Sequence, residues 1–145
     1  MRSRCRSSLI AAVAGLALAA CGKDSTAPAA ADVAGHYVAT RLTATLTTLG
    51  STPADLLAHG SSADITLAPG GTTSGTLVLR DVEDFGLDYT QSLDGTWSLH
   101  GSQVTILIPN GFVTEAVLTY GSGRLSGTTT SQGVRVTVVL EKRPA

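Results

Sequence analysis

Few side chains in this sequence are spaced in a way that supports catalysis or metal binding. His36, His59 and His100 are the histidines, and no two of them stand at the close spacing of a shared metal site. Serines and threonines are common, but a nucleophile also needs an activating base and a group that orients that base. No Gly-x-Ser-x-Gly segment is present. The sequence therefore predicts no enzyme, no metal site and no cofactor.

The side chain whose position does suggest chemistry is Cys21, because it directly follows an apolar segment. Arg2, Arg4 and Arg6 precede the apolar run Leu9–Ala20, which is the pattern of a secretory signal peptide. The run is too short for a permanent membrane helix, which needs about 20 residues. We expect the chain to be exported and this segment to be removed.

The residues around Cys21 resemble the lipobox of bacterial lipoproteins. Leucine stands at the third position before the cysteine, and Ala19 and Ala20 are small. The resemblance implies cleavage between Ala20 and Cys21, a diacylglycerol on the Cys21 thiol and attachment to a membrane. Each buried methylene of an acyl chain contributes about 0.8 kcal/mol, so several chains hold firmly. In such lipoproteins the residue after the cysteine affects sorting. Because this residue is Gly22 and not aspartate, the resemblance implies sorting to an outer membrane, with the domain facing the periplasm.

Charge and cysteine content restrict the exported part further. Cys5 leaves with the signal peptide and Cys21 carries lipid, so no disulfide is expected. Without the three N-terminal arginines, seven basic residues face eleven acidic ones, a net charge of −4. An acidic domain without a basic cluster is a poor nucleic-acid binder, and we exclude that class.

The chain divides into three parts. Residues 1–20 form the predicted lipoprotein signal peptide. Residues 21–34 form the lipidated cysteine and a flexible tether rich in Ala, Pro, Ser and Thr. Residues 35–143 form the folded domain. An ordinary signal peptide followed by a chance cysteine is the alternative for the first boundary.

The folded part consists mainly of short β-branched runs between glycine-rich turns. In the last run, Val134, Val136, Val138 and Leu140 share one face, the alternation of a sheet with one buried face. The best candidate for a helix is the short segment at residues 53–60. Short turns join sequential strands, which predicts an all-β fold, an antiparallel up-and-down β-barrel of about 8–10 strands, with a β-sandwich as the alternative. We expect strands at 35–46, 62–68, 73–81, 86–92, 96–100, 103–108, 112–120, 124–130 and 134–142.

Two local details can be predicted more sharply. A three-residue hairpin loop ending at Gly95 would pair Gln91 with Trp97 and place Tyr89 and Trp97 on the same apolar face. In the first strand, Leu42 and the apolar residues after it have a parity that Tyr37 does not share. A bulge or bend is therefore expected near the start of that strand.

Taken together, the chain resembles small bacterial lipocalin-like lipoproteins. The resemblance rests on the lipobox, the tether, Val33-Ala34-Gly35-His36-Tyr37, Gly95-Thr96-Trp97 and the closing run Val134–Leu140. Lipocalins proper open their first strand with Gly-x-Trp, whereas Tyr37 stands here, and no second lipocalin motif is found. The resemblance implies a barrel whose interior admits a small apolar molecule.

These features lead to two functional hypotheses. The first is a membrane-anchored barrel that binds a small hydrophobic ligand or lipid. The second is a non-catalytic cell-envelope domain with a solid core that docks a protein partner, which exposed Leu107 and Val139 would favour. Aromatic and apolar side chains form the candidate ligand-binding lining, unless they only fill the core: Tyr89, Trp97, Leu99, Phe112, Leu118 and Tyr120.

Overall fold

A computed structural model describes residues 27–48, 52–82 and 87–145 of the chain. The predicted signal peptide, the cleavage site between Ala20 and Cys21, and the lipidation site itself lie outside the described residues. One short helix and ten strands follow one another along the described chain. They are α1 (Ala30–Val33), β1 (Gly35–Leu46), β2 (Ala54–Asp55), β3 (Ser62–Leu67), β4 (Thr72–Val82), β5 (Leu87–Ser92), β6 (Gly95–His100), β7 (Gln103–Leu107), β8 (Glu115–Gly121), β9 (Arg124–Ser131) and β10 (Val134–Lys142).

The strands form a closed eight-stranded antiparallel barrel. Each main strand pairs with the next along the chain, and β10 returns to pair with β1 through nine residue pairs. The prediction of an up-and-down barrel is confirmed, and the sandwich alternative does not form. The barrel has eight strand positions around its circumference, and we call each of them a stave. Ten strands fill eight staves because β5 and β6 lie end to end beside β4 as one stave, while β2 pairs only with part of β1.

The predicted hairpin at Asp94-Gly95 is wrong. Gln91 pairs with Leu77 and Thr96 pairs with Thr72, so β5 and β6 both run antiparallel to β4 in one register. Gly95 does not take the positive φ that the hairpin required. A Cβ on Gly95 would lie 2.1 Å from the carbonyl oxygen of Leu107, so this glycine permits close approach to β7.

Tyr89 and Trp97 nevertheless both face the interior, as predicted. They have the same parity along the continuous β5–β6 stave, and side chains of the same parity share a face. Trp97 is buried and Tyr89 is half-buried. The shared face therefore follows from continuity of the strand rather than from a turn.

The bulge predicted in the first strand is confirmed. The β1–β10 register shifts between Ala39 and Arg41. An extra residue reverses the inward parity, and both Tyr37 and Leu42 are therefore fully buried. Without the bulge, one of these side chains would point into water.

Residues 53–60 do not form the predicted helix. Ala54 and Asp55 pair with β1, and the Asp55 carboxylate accepts the backbone N–H groups of Leu57 and Ala58. This local hydrogen bonding competes with a helix. Leu56 is buried as a result and covers the part of β1 that β3 does not reach.

The folded domain begins before residue 35, the predicted boundary. Val33, the last residue of α1, is fully buried, and its carbonyl accepts a hydrogen bond from the Tyr37 hydroxyl. The carbonyl of Asp32 accepts two more, from the Tyr120 hydroxyl at 3.0 Å and from Lys142 Nζ at 2.7 Å. These bonds fasten α1 across one end of the barrel, which we call the helix end. The opposite end, where β7 leads into β8, is the loop end.

We expect Tyr37→Phe to change how stability depends on alkaline pH. Burial, and then the neighbouring Tyr120, raises the pKa of Tyr37 from 10.0 to about 12. Since the folded-state pKa is raised, the stability contributed by the neutral phenol is constant below pH 10.0 and is lost as pH rises to about 12. Below this window the variant should lose about 1 kcal/mol, one neutral hydrogen bond.

Urea unfolding of the wild-type protein and of Tyr37→Phe, at neutral and at alkaline pH, checks this expectation. Wild type should lose more stability than Tyr37→Phe across the window. Tyr89→Phe, at the loop end, is the matched control and should behave like wild type. Equal alkaline losses in wild type and Tyr37→Phe would contradict the assignment.

Candidate functional site

The interior of the barrel contains a cavity of about 80 Å³ between its middle and its loop end. This volume is several times the roughly 10–15 Å³ that one water needs, yet an apolar cavity of this kind stays dry. It is below the roughly 300–1,000 Å³ of pockets for drug-sized ligands. The lining consists of thirteen apolar residues and one threonine: Leu42, Ala63, Ile65, Leu77, Leu93, Ile106, Ile108, Val113, Ala116, Leu118, Thr129, Val136, Val138 and Leu140.

The chemistry of this lining is limited to apolar contact. None of its residues carries a titratable side chain, and the Thr129 hydroxyl already donates to the Glu115 carbonyl oxygen at 3.2 Å. A charged or strongly polar group in the cavity would lose its hydration without a compensating partner. The cavity can hold an alkyl group or another small apolar body.

At the helix end, aromatic side chains separate the cavity from solvent. Trp97 is 7% exposed, and its Nε1 donates to the Ala68 carbonyl oxygen at 2.8 Å. Tyr37 and Val33 belong to the same core cluster, and the Tyr37 hydroxyl donates to the Val33 carbonyl oxygen at the end of α1. This end is closed by packing and by hydrogen bonds together.

At the loop end, residues 108–114 fold over the interior, and we call them the cover loop. Gln91, only 4% exposed, donates from Nε2 to the Val113 carbonyl at 2.7 Å and accepts from the Val113 N–H at 3.1 Å. Its amide also donates to the Asn110 carbonyl at 3.3 Å. A Cβ on Gly111 would lie 2.2 Å from the Gln91 side chain, so only glycine allows this contact. Gln91 therefore fastens the cover loop.

A second contact fixes the cover loop from the other side. The Phe112 and Tyr89 rings pack with centroids 6.1 Å apart and planes tilted by 58°. The Ser131 hydroxyl donates to the Phe112 carbonyl at 2.5 Å. Both β5 and β9 thus contribute to holding the loop.

Of the six residues predicted to line a cavity, Leu118 lines this one. Trp97, Leu99 and Tyr120 lie toward the helix end, and Tyr89 and Phe112 lie at the loop end, so the structure does not bring all six together. The parity of these residues was predicted correctly, but parity does not give height along the barrel axis. Aromatic side chains occupy the two ends, and aliphatic side chains surround the space between them.

Gln91 and the isoleucines were missed from sequence. Gln91 has the same parity as Tyr89 and Trp97, and a polar residue at an inward position is a signal for a buried hydrogen-bonding role. Ile65, Ile106 and Ile108 all line the cavity, and they are the isoleucines that follow residue 21.

The histidines stay apart in the structure. His36 forms a hydrogen bond with Asp64 at 2.8 Å on the outer surface, while His59 and His100 are exposed elsewhere. Within residues 27–48, 52–82 and 87–145, no three His, Cys, Asp or Glu side chains group as metal ligands would. The described part of the chain also contains no helix of the length and apolarity needed to cross a bilayer.

Comparisons with known protein families, with curated proteins and with solved structures found no match for this chain. The functional argument therefore rests on the cavity and its surroundings.

We expect Gln91→Ala to destabilise the barrel by about 2–6 kcal/mol. The change leaves the buried N–H and carbonyl of Val113 without partners, at roughly 1–3 kcal/mol for each unsatisfied group. Gln103→Ala, an exposed position on β7, is the matched control and should change stability by less than about 0.5 kcal/mol. Urea unfolding measures both effects.

Hydrogen exchange distinguishes loss of the cover loop from a general weakening. Amides of the cover loop should lose more protection in Gln91→Ala than those of β9 and β10, whose protection should fall only by the loss of global stability. Unchanged exchange in the cover loop would show that Gln91 does not hold it.

Proposed function

We propose that this protein is a membrane-anchored, lipocalin-like lipoprotein whose barrel binds a small hydrophobic ligand. The observation that carries the proposal is the aliphatic cavity inside a closed barrel. Close packing is the rule in protein interiors, and an unfilled interior lowers stability. A retained cavity beneath a specifically held cover loop is more consistent with binding than with a structural core.

The lining indicates the kind of ligand. Alkyl groups match the aliphatic side chains, and none of the described lining residues offers a cation or a free hydrogen-bond donor to hold a carboxylate. A fatty acid or lipid would therefore place the end of its chain inside and keep its polar group outside. The small volume favours a short alkyl segment over a bulky ring system.

Methyl NMR spectroscopy tests the binding proposal directly. In a chain that starts at residue 21 and carries Cys21→Ser, δ1-methyl labelling of isoleucine gives signals from Ile65, Ile106 and Ile108, all of them in the cavity lining. Titration with butanol, hexanol, octanol and decanol should shift these signals saturably. The Trp97 indole N–H, which lies outside the lining, should shift much less.

A cavity-filling variant provides the control. Ala63→Leu places extra methyl groups in the cavity and should abolish the titration shifts while the barrel remains folded. Leu107→Ala, on the outer surface, should leave them unchanged. Failure of every alcohol to shift the isoleucine methyl groups of wild type would refute the binding proposal.

The anchor is proposed from the lipobox and is tested separately. Cys21→Ser removes the thiol that would take the diacylglycerol. We expect the full-length wild-type chain to partition with membranes and the variant to be released or to accumulate uncleaved, since the modification precedes cleavage in this class. Membrane partition with normal processing in the Cys21→Ser variant would contradict lipid anchoring.

One observation favours the alternative, a domain that docks a protein partner through its outer surface. Leu107 is 49% exposed on β7, and Val117 is 42% exposed on the adjacent β8. Val139, which was expected to be exposed, is instead half-buried. Two apolar residues form a small patch, and patches of this size are common on monomers. The cavity therefore carries more weight.

A further inference from the structure

The ladder between β8 and β9 is the shortest between consecutive staves of the described barrel. It contains three residue pairs, from Thr119↔Ser126 to Gly121↔Arg124. The flanking ladders are longer, with five pairs between β7 and β8 and eight between β9 and β10. Toward the loop end, residues 115–118 of β8 and 127–131 of β9 therefore face each other without ladder pairs. We call this stretch the seam.

Gly127 is the first residue of β9 beyond the ladder. A Cβ at this position would lie 2.6 Å from the Val117 carbonyl oxygen and 2.7 Å from the Leu118 side chain. The Leu118 side chain thus occupies the space beside the Gly127 backbone. Beyond that point, side-chain hydroxyls supply the hydrogen bonds across the seam: Thr129 to the Glu115 carbonyl at 3.2 Å, and Ser131 to the Phe112 carbonyl of the cover loop at 2.5 Å.

The seam separates the cavity from an outer groove. Ala116 and Leu118 on β8 and Thr129 on β9 line the cavity. Glu115 and Val117 on β8, with residues 128–131 on β9, line the groove outside. Outside these two strands, Val113 of the cover loop is the one described residue that lines both the cavity and the groove.

Other routes into the cavity are held more firmly. The helix end is covered by α1 and Trp97, and the cover loop is fastened by the three hydrogen bonds of Gln91. The ladder between β1 and β3 is also short, with four pairs, but β2 and the buried Leu56 cover β1 beyond it. No such segment among the described residues covers the seam.

We propose that the seam is the entrance through which the ligand reaches the cavity, a conclusion that rests on the proposed binding function. An alkyl chain passes between β8 and β9 when the Thr129 bond opens, and its polar end stays in the outer groove. Passage of the chain through the seam breaks no ladder pairs, whereas passage between other consecutive staves would break several. The hydroxyl of Thr129 closes the entrance again.

A disulfide across the seam tests the entrance. In a chain that starts at residue 21 and carries Cys21→Ser, which keeps every described residue, Glu115→Cys and Thr130→Cys would join β8 to β9. Both positions are exposed, and they face each other when the Thr119↔Ser126 register is extended. Thr130→Cys with Arg135→Cys is the matched control, because these exposed residues are already paired in the β9–β10 ladder.

Hexanol is the probe, and its exchange rate is measured by saturation transfer at the three isoleucine methyl groups. We expect the oxidised seam disulfide to slow exchange about tenfold or more, with reduction restoring the wild-type rate. Equilibrium affinity should change little because the lining is intact. The control disulfide should have no effect on exchange. A tenfold rate change corresponds to about 1.4 kcal/mol in the barrier.

A second pair of variants keeps the test decisive if the disulfide does not form. Thr129→Val removes the hydroxyl that bridges the seam and should speed exchange about two- to tenfold, the factor for one neutral hydrogen bond. Thr137→Val removes a hydroxyl that bonds to Thr128 across β9 and β10, and it should leave exchange unchanged.

The outcomes separate the two proposals. Wild-type exchange rates in both the seam disulfide and Thr129→Val, with hexanol still bound, would overturn the entrance and leave the binding function standing. Absence of any isoleucine shift with hexanol or the longer alcohols in wild type would overturn the binding function, and the entrance with it.

Discussion

Closure of the barrel depends on the pairing of β1 with β10. Nine residue pairs join β1 to β10, so these two strands also have neighbours on both sides and the interior has a fixed circumference. The bulge between Ala39 and Arg41 lets this pairing continue while Tyr37 and Leu42 both turn inward. The β1–β10 pairing therefore determines the position of α1, the burial of Tyr37 and the width of the cavity.

A fixed circumference must be filled with few bulky side chains, because aromatic residues make up only 4% of the sequence. Trp97 and Tyr37 pack near the helix end, and Phe112 packs against Tyr89 near the loop end. Between them stand small or aliphatic residues such as Ala63. The distribution of side-chain size along the axis therefore creates the space, and the same distribution determines that only apolar matter can occupy it.

Strand bounds were predictable where alternation was regular. The observed β1 and β10 have the predicted limits, since inward and outward residues alternate along β10 without interruption and β1 needs one bulge. The error at Asp94-Gly95 arose because such a dipeptide is typical of hairpins, whereas the approach of Gly95 to Leu107 depends on a strand distant in sequence. The cavity lining could be predicted only as a face, since depth along the barrel depends on tertiary register.

The attachment of α1 also has a mechanical consequence. Tension applied to the chain before residue 27 reaches α1 before it reaches β1. There the Asp32 carbonyl is bonded to Tyr120 on β8 and to Lys142 on β10. The load would be shared by three staves at once instead of peeling β1 from its neighbours one residue pair at a time. A domain pulled from its N-terminal side is thus protected at the junction on which its closure depends.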